Sequence, residues 1–235
     1  MGGFVMSYAP STFNAGTGED FFTSSGLIGG ATGMVPVFTN NNTFASTPDA
    51  YGDNLTFAIT DSVLKVTRAD TDWTNYTWNL GATYDKVLGV AYFHGGNADP
   101  RGMRMGFDQN TYSGSQVTTD YATDSYAFGC YNYGGNEYYM GTRLSTASGY
   151  LTLGTDTTIY NAMKETDFVF GIATYLEDDV QKGFLKFGST SQWFQILSTA
   201  DGDLTAGWQS FKFSGGFQSA SVFRQITPFY VWGAV

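Results

Sequence analysis

Cysteine and histidine occur once each, as Cys130 and His94, and Lys and Arg together number only 11 among 235 residues. A lone cysteine excludes an intrachain disulfide and a thiolate metal cluster, and a lone histidine excludes multi-histidine zinc centres. His94 is the lone histidine and no G-x-S-x-G elbow occurs, so a serine hydrolase triad is poorly supported, and no G-x-x-x-x-G-K-[ST] phosphate loop occurs. The scattered basic residues offer no cluster to phosphate backbones, which argues against nucleic acid as a partner. Charged residues make up only 14% of the chain, and acids outnumber bases to leave a net charge of −10, a balance that favours solubility. No run approaches the roughly 18 apolar residues of a membrane span. The opening MGGFVMSYAPST lacks a basic residue and a long apolar run, so the expectation is no secretory signal. Met6 stands where a myristoylation signal needs Ser or Thr, with Ser7 one place late.

What is abundant is material for pleated sheet. Hydrophobic residues reach 42% and aromatic ones 17%, enough for a substantial core, and 30 glycines punctuate the chain. In Asp167–Leu197, Phe168, Phe170, Ile172 and Thr174 alternate with Val169, Gly171, Ala173 and Tyr175, giving a strand apolar on both faces and therefore central. Gly183–Phe187 and Gln192–Leu197 follow it, predicting an antiparallel meander. Lys86–His94 is a second two-sided strand. Asn54–Thr60 and Ser62–Arg68 read as a hairpin around Asp61, and Trp73, Tyr76 and Trp78 fit a strand leaning on a sheet face. Val35–Phe38, Met103–Phe107, Ser115–Tyr121, Tyr126–Asn132, Glu137–Leu144 and the apolar Pro228–Val235 supply further strands. Only Asp156–Lys164 has a helical look. The pattern predicts an all-β fold, an antiparallel two-sheet β-sandwich or jelly roll, spanning residues 34–235. Residues 1–33 form a glycine-rich leader whose anchors Phe4, Tyr8 and Phe13 suit an extended N-terminal assembly arm.

Candidate site residues are few. Trp73, Trp78, Tyr131 and Tyr133 could stack on sugar rings, although half-buried sheet aromatics have the same composition. Asp108, Asn110, Asp120, Asp124, Asn132 and Asn136 carry oxygens suited to calcium or to sugar hydroxyls. Asp108–Tyr112, DQNTY, resembles the Asp/Asn/aromatic metal loop of legume-type lectins, but the rest of that pattern is not found. Glu165–Phe170 resembles the Glu-x-Asp-x-x-Glu acids of laminarinase-like hydrolases, except that Phe170 occupies the final acid position. One essential carboxylate is thus missing and no catalytic residue is assigned.

The stretches Tyr51–Arg68, Lys86–Phe93 and Asp167–Phe194 together resemble the concanavalin A-like (LamG-like) sandwiches of phage and other virion surface proteins. Members of that fold class bind glycans, decorate capsids, form fibres or hydrolyse polysaccharide; the Gly/Thr/Asn/aromatic-rich composition, the dearth of catalytic residues, the absence of an export signal and the candidate arm point among these to a non-enzymatic structural protein at the virion surface, a capsid decoration or fibre component. Its partners would be major capsid or other virion proteins and sister copies in a homo-oligomer, joined by the arm. The alternative reading is a lectin-like domain that contacts a surface glycan, and behind it stands a polysaccharide hydrolase that would depend on Glu165. No cofactor is expected, and calcium has no complete motif.

Overall fold

The computed structural model describes residues 33–39, 47–52, 55–60, 63–68, 73–94, 100–115, 125–133, 137–143, 169–177, 180–187, 194–200, 206–217, 223–226 and 229–235. Every regular element among them is a strand: β1 (Val35–Thr39), β2 (Ala50–Tyr51), β3 (Leu55–Thr60), β4 (Val63–Arg68), β5 (Trp73–Tyr84), β6 (Lys86–His94), β7 (Pro100–Asp108) and β8 (Gly114–Ser115). They continue as β9 (Ser125–Tyr133), β10 (Glu137–Arg143), β11 (Val169–Glu177), β12 (Val180–Phe187), β13 (Phe194–Ala200), β14 (Trp208–Phe217), β15 (Phe223–Ile226) and β16 (Tyr230–Ala234). The leader with Phe4, Tyr8 and Phe13, the helix-like Asp156–Lys164 and the acids Glu165 and Asp167 lie outside the described residues.

Two sheets result. A nine-stranded sheet runs β13-β12-β11-β6-β15-β4-β3, with β16 also on β6 and β1 on β16; a seven-stranded sheet runs β10-β9-β7-β14-β5-β2-β8. All pairings are antiparallel except the short β2–β8 contact. β6 is the hub of the larger sheet, as its two-sided apolar pattern predicts. One edge carries β11 along its length. The other edge is divided, with β16 against Lys86–Val90 and β15 against Phe93 and His94. The meander β11-β12-β13 forms as expected, and so does the β3–β4 hairpin. Of the strand expected over Ser115–Tyr121, Ser115 lies in β8, paired parallel to β2, and residues 116–121 lie outside the described residues.

The sheets are stacked face to face, β6 crossing β7 and β14 while β11 crosses β7 and β9. A close approach falls at Gly89, where an added Cβ would come within 2.6 Å of the Phe211 ring and 3.2 Å of Phe107. A glycine is required there because two rings already fill the space that a methyl group would take. Around them lies an aromatic core. Phe211 stacks on Phe229 with ring centres 5.0 Å apart, and Phe213 meets Tyr76 and Trp78 at 5.5 and 5.8 Å. Such offset and edge-on pairs each add about 0.5–1.5 kcal/mol beyond the area they bury.

Because successive residues of a strand face opposite ways, the inward Phe107, Phe211 and Tyr76 place their neighbours Asp108, Ser210, Lys212 and Thr77 on the far side of the seven-stranded sheet. The same rule puts Leu88, Val90, Ala173, Tyr175, Phe184 and Tyr230 together on the far side of the nine-stranded sheet, where they form a second buried cluster with Met34 and Trp232 packed against it.

Candidate functional site

The far side of the seven-stranded sheet carries the densest polar arrangement described. β7 ends at Asp108 and the chain turns back over the sheet through residues 109–113, reaching β8 at Gly114, whose φ of 75° suits glycine. Asp108 organises this turn. Its Oδ1 accepts from the Asn110 backbone N–H at 2.9 Å and from Asn110 Nδ2 at 3.1 Å, an Asx-type closure of the turn. Its Oδ2 accepts from the Tyr112 hydroxyl and from Lys212 Nζ, each at 2.5 Å. The Tyr112 ring lies over the pair, its centre 5.1 Å from the ammonium.

Asp108 and Lys212 are 0% and 3% exposed although they sit on the side of the sheet away from the core. Burying either charge alone would cost several kcal/mol; together, with Tyr112 and Asn110 filling the remaining acceptor positions, they form a neutral unit.

Asn79 on β5 holds the other end of the turn. Its Nδ2 donates to the Tyr112 carbonyl at 2.8 Å and its Oδ1 accepts from the Tyr112 N–H at 2.9 Å, so one side chain imitates a step of strand pairing. Asp49 then ties three strands: its N–H donates to the Thr77 carbonyl, its carbonyl accepts from Gly114 N–H, and its Oδ2 accepts from Asn79 N–H at 2.8 Å. Gln209 Nε2 donates to the Gln109 carbonyl at 2.6 Å. Asn79 can reach the turn because β5 bulges immediately after it. Five residue steps from Asn79 to Tyr84 face two steps from Ser210 to Trp208, and Gly81 takes a φ of 78° within that bulge. The product is an exposed polar crest, Asn110, Thr111, Ser113 and Gly114, on a braced base.

A smaller polar group lies on the opposite sheet. Glu177 pairs with Lys86 at 2.9 Å, and Lys182 stands 5.7 Å from the centre of the Tyr175 ring. Partial burial pushes the Glu177 carboxyl up, but hydrogen bonds from Lys86 and Tyr175 and the charges of Lys86 and Lys182 outweigh it and hold the group below its usual range. Burial, and then the hydrogen bond to Glu177 and its charge, push the Tyr175 hydroxyl far above its ordinary value.

Of the sequence-predicted sugar-stacking residues, Trp78 alone has a described side chain. Trp78 is 2% exposed and packs inside the sandwich against Tyr76, Phe213 and Phe229, so its role is core and not recognition. Trp73 opens β5 opposite Gly216. Tyr131 and Tyr133 lie on β9, opposite Tyr139 and Glu137 of β10. The side chains of these three are outside the described residues. Asn132 is also on β9, and Asp120, Asp124 and Asn136 are undescribed. The reading of the sequence missed Lys212, which an F-K-F alternation presents as an ordinary surface lysine.

No family model matches the chain, and no curated protein matches it. Solved structures do match, and the fold they share is the concanavalin A-like β-sandwich. The Ca2+/Man-bound form of the VIP36 exoplasmic/lumenal domain aligns with a TM-score of 0.58 at 12% identity, covering 83% of this chain and 88% of that one. A Bauhinia forficata lectin in complex with GalNAc aligns at 0.57 and 8% identity, covering 85% and 97%. Arcelin-5, a lectin-like defence protein from Phaseolus vulgaris, aligns at 0.55 and 9%, covering 86% and 98%. These descriptions speak of sugars, a lumenal domain and defence, and lend nothing to a virion setting.

The calcium of the VIP36 forms prompts a test of fit here. Among the described residues no three His, Cys, Asp or Glu side chains gather where they could hold a metal. The carboxylate of the DQNTY stretch is already engaged by Lys212, Tyr112 and Asn110. A calcium ion on its Oδ2 would stand at most about 5 Å from the ammonium, a repulsion on the order of 7 kcal/mol at an effective dielectric of 20. The resemblance to a metal loop therefore does not extend to the chemistry of the group.

Proposed function

We propose that the chain is a non-enzymatic carbohydrate-binding domain that holds a neutral glycan on the outer side of the seven-stranded sheet, at the crest formed by residues 110–114. The observation that carries this reading is the crest itself: exposed amide and hydroxyl groups at Asn110, Thr111 and Ser113 on a turn that Asp108 and Asn79 fix from beneath. Sugar recognition rewards such an arrangement, because pre-fixed donors and acceptors lose little freedom when hydroxyl groups replace water. Support also comes from the fold, which this chain shares with structures that contain Man and GalNAc.

Preference for an uncharged sugar follows from electrostatics. The only cation described at the crest, Lys212, is committed to Asp108; Asp49 adds an exposed carboxylate, and the whole chain carries −10. The test is a glycan array containing neutral and sialylated or sulfated members, probed with the wild-type chain and with Thr111→Arg. The expected result is binding to neutral glycans that falls at least tenfold in the variant, whose exposed substitution leaves the fold intact. A blank array from protein with an unchanged circular dichroism spectrum refutes the assignment.

A further inference from the structure

From the Lys212–Asp108 pair we infer that this domain keeps its crest ordered, and engages its ligand, without a divalent cation: the chain supplies its own positive charge from strand β14. The part of the inference that concerns ligand rests on the carbohydrate reading above; the part that concerns order does not.

A charged carboxylate that is 0% exposed is costly to bury without a counter-charge. In oxygen-rich loops that charge is commonly a bound calcium ion, which takes six to eight oxygen ligands. VIP36 has been solved in both Ca2+-bound and metal-free forms, so within this fold metal and protein are separable. Here the position nearest Asp108 Oδ2 is taken by Lys212 Nζ at 2.5 Å. Tyr112 closes over it, donating its hydroxyl to the same oxygen while its ring faces the ammonium. The amide group of Asn110 and the reciprocal pair between Asn79 and Tyr112 complete the brace using protein atoms alone. Lysine also differs from an ion in its attachment. It cannot be washed out or chelated, and it arrives with the strand as the sheet forms.

The experiment follows backbone amide exchange at residues 109–114, together with glycan binding, on the intact chain. Both are measured after exhaustive dialysis against EDTA and again in excess calcium chloride. Equal protection of 109–114 and equal glycan affinity in the two conditions are expected. Lys212→Met should lose protection at 109–114 by at least tenfold in both conditions, with the core strand β6 still protected. Should that variant fail to fold, Tyr112→Phe, which removes one donor to Asp108 and leaves the ammonium, provides the milder perturbation with a partial loss at the same amides. Protection that rises with calcium, or glycan binding abolished by EDTA and restored by calcium, overturns the inference while sustaining the carbohydrate reading. An array blank in both conditions with equal protection does the reverse.

Discussion

The most demanding consequence of the structure is energetic coupling between Asp108 and Lys212, two residues 104 positions apart in sequence. Lys212→Met leaves a carboxylate with no exposure but with Tyr112 and Asn110 still donating to it, so the loss belongs at the lower end of the range for a broken buried pair, about 3 kcal/mol. Asp108→Asn strands an ammonium that is 3% exposed and turns an amide N–H₂ towards existing donors, at a cost of about 4 kcal/mol. The double variant has no buried charge and loses hydrogen bonds only. It should cost about 4 kcal/mol, well short of the summed singles, leaving a coupling of about 3 kcal/mol. Urea unfolding of the four proteins measures this directly, since each single substitution should move the midpoint by about 1 M or more. Repeating the cycle near 1 M salt separates a buried pair from a surface one, because exposed charges are screened at about 3 Å while enclosed ones are not. A coupling below about 0.5 kcal/mol, or one that vanishes in salt, would show that the two charges do not meet under the Tyr112 ring.

Two further outcomes can be checked without a ligand. Gly89→Ala should destabilise by about 2–3 kcal/mol, since the Phe211 and Phe107 rings at 2.6 and 3.2 Å are locked in the aromatic core. Gly233→Ala should cost less, although its nominal clash with Tyr84 is closer at 2.3 Å, because that ring is only half-buried and can swing outward; thermal melts that rank the pair the other way refute the packing account. For Glu177, a folded-state pKa held below the ordinary value near 4.5 means that its contribution is present above that value and is lost as pH falls through the folded value. Lys86→Met should therefore lower stability by about 0.5 kcal/mol at neutral pH, the Lys86 side chain being 44% exposed and the pair correspondingly screened by solvent. The gap from wild type should close as acid protonates the carboxyl, and a gap that widens below pH about 4 contradicts the assignment.

Much of the fold is legible in the chain because alternation is a local property. Lys86–His94 reads as a two-sided strand from its own residues, and β6 has those same ends. The hairpin around Asp61 and the meander after Val169 announce themselves in the same way. β14 carries an equally clear alternation, Phe211 and Phe213 against Ser210, Lys212 and Ser214. Nothing local, however, says that it lies between β5 and β7, more than 100 residues away in its contact with β7. Trp78 shows the converse limit: its polar sequence neighbours, Thr77 and Asn79, suggest exposure, yet alternation sends them to one side of the sheet and the indole to the other. The site was half visible. DQNTY marks a turn rich in oxygen, but whether its carboxylate meets a metal or an ammonium is decided by the register of a strand that the turn does not contain.

That register makes the polar side of the sheet and its core a single construction. Phe107 and Phe211 must face inward to meet Gly89, and because strands alternate, this obliges Asp108 and Lys212 to emerge together on the opposite side, one residue further along their respective strands. A slip of one residue between β7 and β14 would put the two charges on opposite sides of the sheet and bury one of them among rings. The ion pair thus penalises wrong pairing more strongly than it rewards the correct one, and the braced crest inherits its position from the packing of two phenylalanines against a glycine. On this reading Gly89→Ala, on the other sheet and with no contact to the crest, should loosen residues 109–114 as well as the core.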